Sequence, residues 1–116
     1  ALAEAQVHGG MSMAIGYGLS EQLLFDEKTG RPLNNNLLDY KIPTCMDIPD
    51  MEIRFVETHE DSAPFGAKGL AEPPLIPQAA AVRNAILHAT GVGMHKLPMN
   101  PQNLVHAFGE AGLIAQ

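Results

Sequence analysis

Positive charge is scarce in this sequence. Seven Lys and Arg face 13 Asp and Glu, for a formal net charge of −6. No basic patch forms, which argues against a nucleic-acid phosphate backbone as partner. Cysteine is almost missing: Cys45 stands alone, so no internal disulfide can form. That suits a reducing compartment, and a cytoplasmic location is expected. Cys45 reads as a packed residue rather than a nucleophile. No apolar run approaches the roughly 18 residues of a membrane span.

Several chemistries are missing as patterns. The five histidines, His8, His59, His88, His95 and His106, make no i, i+4 pair, which leaves no zinc motif. There is no G-x-S-x-G elbow. The Gly16-Tyr17-Gly18 step is neither a P-loop nor a dinucleotide fingerprint. Glu60-Asp61 reads as solvated loop charge.

What is present fits one domain or part of one: 116 residues, 46% of them apolar. The chain opens on Ala1, without Met, inside helical sequence. A fragment, a processed chain or a cloned segment is the expectation.

The spacing of Val7, Met11, Ala14, Leu19 and Leu23 predicts a helix from about Leu2 to Leu24. Gly10, Ala14 and Gly18 share one face of it. Each glycine costs up to about 1 kcal/mol of helix propensity against alanine. Such a helix needs close packing, by another backbone or by a flat ligand. Lys28-Thr29-Gly30 predicts a β-hairpin turn. Asn34–Asn36 reads as a polar loop and Leu37–Ile42 as a short extended stretch. Met51–Glu57 alternates, with Met51, Ile53 and Phe55 on one face, and is the best strand candidate. His59–Pro64 reads as a polar surface loop.

A second helix is expected from Pro74, on the stripe Leu75, Ala79, Val82, Ile86 and Ala89, ending at Gly91. Met94–Leu97 is a link. Asn100 and Pro101 read as the cap and first residue of a last helix, to about Gly109. The tail 111–116 is expected to fray. Together these predict an α+β fold, a short mixed or antiparallel sheet packed against two main helices.

The stretch Gly66-Ala-Lys-Gly-Leu-Ala-Glu-Pro-Pro74 carries the chemistry. Its prolines place Glu72 at or just before a helix N-terminus, where free N–H groups favour an anion. Gly66 and Gly69 let the backbone turn and approach a ligand. Glu72 reads either as a helix N-cap acid or as a general base. Gln6, at the head of the glycine-rich run, has an amide suited to a heterocycle edge, or is a plain surface residue.

Read together, three motifs resemble the molybdenum hydroxylase family, of the xanthine dehydrogenase/aldehyde oxidase type. They are Ala5–Gly10 running into Ala14–Glu21, Leu38–Thr44 with Asp47–Pro49, and Gly66–Pro74 followed by Asn84–Ile86 and Ala89–Gly91. The match is to the C-terminal part of the molybdopterin-binding large subunit. The resemblance implies that residues 1–116 are a single domain or fragment of a larger molybdopterin-binding domain. It implies an oxidoreductase that hydroxylates an aldehyde or N-heteroaromatic carbon with water-derived oxygen. Glu72 would be the base that takes a proton from a metal-bound hydroxyl. Gln6 would hydrogen-bond the molybdopterin, Gly9 would let it approach, and Lys68 and Gly69 would shape the loop. No metal ligand falls in the chain. Electrons would leave through [2Fe-2S] clusters and FAD on partner domains or subunits. The remaining molybdopterin-binding domain and a small-molecule substrate are further implied partners, with neither nucleic acid nor a membrane span.

Two departures stand out. Ala71 replaces the family's usual glycine, and the other cofactor loops are missing from this stretch. The chain alone is expected to be inactive. The alternatives are a non-catalytic subunit-association module of the same fold and an unrelated small acidic binding domain.

Overall fold

The computed structural model describes residues 1–115. Its elements are α1 (Leu2–Leu19), a 3-10 turn (Pro64–Gly66), α2 (Gln78–Thr90) and α3 (Pro101–Glu110). Among the described residues no helix is long and apolar enough to cross a membrane.

The glycine face of α1 does what its composition demands. Gly10, Ala14, Gly16 and Gly18 are its buried residues, and α1 packs on α2. A methyl added at Gly10 would stand 3.0 Å from Pro74 Cβ, and one at Gly18 would stand 3.5 Å from Ala79 Cα. The helix stops at Leu19, short of the expected Leu24. Gly16's carbonyl accepts from both Ser20 and Glu21 N–H. Leu24 is committed elsewhere: its carbonyl accepts Leu33 N–H at 2.8 Å and its N–H donates to Asn34 Oδ1 at 2.8 Å.

The expected sheet is not there. Among the described residues no strand forms; the two main helices and the last short one stand without a sheet. The hairpin shrinks to one antiparallel bridge, Phe25 to Pro32. Its turn is well made: Asp26 Oδ1 accepts from Thr29 N–H, Thr29 Oγ1 and Lys28 N–H, and Gly30 sits at φ 67. Pro32, however, has no N–H to extend a ladder. Leu37–Tyr40 is a turn, with Tyr40 N–H on Asn36 O at 2.9 Å. Met51–Glu57 forms no ladder. Cys45 is exposed rather than packed.

α2 begins at Gln78, four residues after the expected Pro74. The proline that starts it is Pro77, whose carbonyl accepts Ala81 N–H at 2.9 Å. Ile76, preceding that proline, is steered away from helical angles. Gly91 closes α2 at φ 74, as expected. Asn100 caps α3, accepting Asn103 N–H at 2.9 Å. The expected fraying beyond α3 meets two turns, with Leu113 N–H on Phe108 O at 2.9 Å; Gln116 lies outside the described residues.

Ala14, Met94 and Met99 make up the buried apolar core of the described residues. Met99 N–H donates to Gly18 O at 2.7 Å, tying the approach to α3 onto the end of α1. The radius of gyration is 18.1 Å, against about 13 Å for a compact chain of this length. The accessible surface is 8980 Å², where a folded monomer of this mass exposes about 6,100 Å².

Candidate functional site

One open cleft of about 340 Å³ unites the two ends of the sequence argument. Gln6, Gly9 and Gly10 come from α1; Ala71, Glu72 and Leu75 come from the segment ahead of α2. Pro74 seals the junction. It is buried, and its Cβ occupies the space that a side chain at Gly10 would need. The small residue on α1 thus sets how near the Glu72 segment can lie.

Glu72 is not at a helix N-terminus, contrary to expectation. It precedes Gln78, where α2 begins, by a proline-rich turn in which its carbonyl accepts Leu75 N–H at 2.8 Å. The macrodipole of α2 therefore does not hold this carboxylate, because the effect fades beyond the first turn. Glu72 is exposed, and no hydrogen bond or ion pair engages its side chain among the described residues.

Gln6 Nε2 donates to the Ala71 carbonyl at 3.4 Å, a long bond between exposed groups. The amide oxygen of Gln6 stays free to accept. Ala71, noted in the sequence only as a departure from glycine, is thus the contact between Gln6 and the Glu72 segment. Nothing lies within 4 Å of a methyl added at Gly9. That open space lets a planar group come up to the backbone. Lys68 and Gly69 are exposed and lie outside this cleft's lining.

Larger clefts exist, but chemistry separates them from this one. In a cleft of about 520 Å³ beside Lys41–Thr44, the Asp47 carboxylate is already taken. It accepts Thr44 N–H and Thr44 Oγ1, both at 2.8 Å, and these bonds hold it below its ordinary pKa. In a cleft of about 370 Å³ against α3, Glu110 lies 3.4 Å from His106. Of the carboxylates lining these three clefts, Glu72 is the one without a partner among the described residues. No group of three or more metal-ligating residues occurs among the described residues.

Nothing in the residue pattern announces the clamps that shape the scaffold. Asn34, read as loop, is buried and also donates to Gln22 O at 2.7 Å. Tyr40 donates its hydroxyl to Glu21 Oε2 at 2.8 Å, while Ser20 Oγ donates to Lys41 O at 2.9 Å. These two bonds lash the Leu38–Thr44 motif to the end of α1. The ring of Pro43 then covers Gly16, leaving no room for a side chain there.

Comparison with known proteins defines the class. Residues 1–49 match the family profile described as a molybdopterin cofactor-binding domain. The chain is 53% identical to the xanthine dehydrogenase molybdenum-binding subunit of Escherichia coli O157:H7, over 97% of this chain and 15% of that protein. It is 38% identical to the nicotine 6-hydroxylase large subunit of Paenarthrobacter nicotinovorans, over 91% of this chain and 13% of that one. The solved quinoline 2-oxidoreductase of Pseudomonas putida 86 superposes with a TM-score of 0.83 at 34% identity, covering 94% of this chain and 14% of its own. This chain belongs to the molybdenum hydroxylase family of the xanthine dehydrogenase/aldehyde oxidase type, and spans 11% to 15% of the length of the curated relatives it matches.

Proposed function

We propose that this chain is the base-bearing segment of a molybdopterin-dependent hydroxylase that oxidises an aldehyde or N-heteroaromatic carbon. The observation that carries the reading is the meeting of Gln6 and Glu72 in one cleft, from positions 65 residues apart at their contact. The fit to the cofactor rests on three features. Gln6 offers a donor and an acceptor to a pterin edge. Open space at Gly9 admits a flat ring. The Glu72 carboxylate is unengaged. Gln6 and the backbone at Gly9 would hold the pterin, with Lys68 and Gly69 shaping the loop that leads to Glu72.

When bound, the molybdenum cofactor supplies a water-derived oxygen and accepts electrons. Glu72 accepts the proton that this oxygen must lose before it bonds to carbon. An exposed carboxylate is a weak base in water, so closure of the cleft by the rest of the subunit is part of the function. The chain alone lacks that closure and is inactive. Iron–sulfur and flavin domains or subunits are the electron-accepting partners. A related protein is named as the gamma subunit of a dehydrogenase complex. The solitary, exposed Cys45 suits a cytoplasmic protein.

The test is Glu72→Gln in the assembled enzyme, with molybdenum content measured alongside turnover. Loss of turnover by at least ~100-fold at unchanged metal content is expected, from the usual worth of acid–base catalysis. Near-normal turnover would remove Glu72 from the chemistry.

A further inference from the structure

Met51-Glu-Ile-Arg-Phe-Val-Glu57 is an irregular segment by its hydrogen bonds and a strand by its pattern. Its burial alternates at the start: Met51 and Ile53 are half-buried, Glu52 and Arg54 exposed. Phe55 is 50% exposed and Val56 85% exposed, a large apolar surface for a loop. Among the described residues, no hydrogen bond uses a backbone N–H or C=O of residues 48–59. Arg54 pairs only with Glu52, on its own segment.

We infer that Met51–Glu57 is a docking strand, which joins the rest of the molybdenum-binding subunit by backbone hydrogen bonds to a neighbouring extended segment. A row of successive unpaired amides is matched by another strand, which offers donors and acceptors at the same repeat. The occupant follows from length: the chain spans 15% of the relative's subunit, so the bulk of that protein is available as neighbour. The apolar side chains of Phe55 and Val56 then pass from water into the joint surface. The described residues still build no sheet of their own; the pairing is between this segment and its neighbour.

This rests on the reading of the chain as one segment of a larger subunit, and the test separates the two. Amide hydrogen exchange is followed on the chain alone and on the assembled subunit. Amides of 51–57 are expected to exchange freely in the chain alone and to slow by at least ~100-fold on assembly. Protection that appears elsewhere in the chain but not at 51–57 overturns the docking strand only. Protection nowhere overturns the segment reading itself. Protection in the chain alone, rising with its concentration, makes a second copy the partner and also overturns the inference.

Variants give an independent check. Neighbouring N–H groups of a strand point to opposite edges, so Arg54→Pro and Phe55→Pro between them delete a donor on each. Neither breaks a backbone bond within the chain; Arg54→Pro removes only the side-chain pair with Glu52, which its Ala control removes as well. At least one is expected to weaken assembly tenfold or more, while the N–H-keeping controls Arg54→Ala and Phe55→Leu assemble normally. Both proline variants assembling like their controls would overturn the proposal.

Discussion

Tyr40 shows how single residues hold this scaffold in place of a core. Its hydroxyl donates to the Glu21 carboxylate, and that bond raises its pKa above 10.0. A raised folded value means the link is fully present below the pKa of an unfolded tyrosine, near 10. It is lost as pH rises through the higher folded value. In a Tyr17→Phe background, phenolate absorbance should report Tyr40 with a midpoint above 10. A midpoint at or below 10 would mean the Glu21 bond does not form in solution. The acidic clamps run the other way. Thr29 holds Asp26, Thr44 holds Asp47 and Ser62 holds Glu60 below the usual carboxylate range. These turns keep their side-chain bonds above the unfolded pKa near 4 and lose them as pH falls through the lower folded values.

Among the elements, what was legible in the sequence is what is local. The Asn100 cap, the Gly91 stop and the Asp26–Gly30 turn depend on neighbours within a few residues, and all three form. The start of α2 was misplaced because three prolines compete for one helix start, and only Pro77 has no further proline behind it. The sheet failed because pairing is non-local: an alternating segment shows that it suits a strand, not that a partner exists. The meeting of Gln6 and Glu72 in one cleft is non-local as well; family motifs singled out the two residues, and periodicity says nothing of their being neighbours. The packing of α1 offers a test at this scale. With 3.0 Å between a methyl at Gly10 and Pro74 Cβ, Gly10→Val overpacks the junction at a cost of about 1–3 kcal/mol. Denaturant unfolding of the assembled subunit should show that loss. An unchanged midpoint would mean that α1 and the Pro74 turn are not in contact there.

On the scale of the whole molecule, apolar surface is left over. Leu37, Leu38, Met46, Val56 and Phe65 are each at least 79% exposed. The accessible area exceeds that of a compact monomer of this mass by about 2,800 Å², more than a standard protein–protein interface buries. Isolated, the chain should bind a hydrophobic dye and self-associate; within the subunit, the same region should bind none. A dye-silent monomer with a radius of gyration near 13 Å would show that the chain packs itself. So few buried apolar side chains, Ala14, Met94 and Met99 with Pro74 and Pro98, fall short of offsetting the entropy of ordering more than a hundred residues.

The contact of Gly10 with Pro74 also acts as a gauge. Two residues before that proline stands the proposed base, and four residues before that glycine stands the proposed pterin anchor. Their separation is therefore measured through a point where one helix has nothing to interpose but a hydrogen atom. Any residue bulkier than glycine would reset the calibration of both ends at once, without touching either.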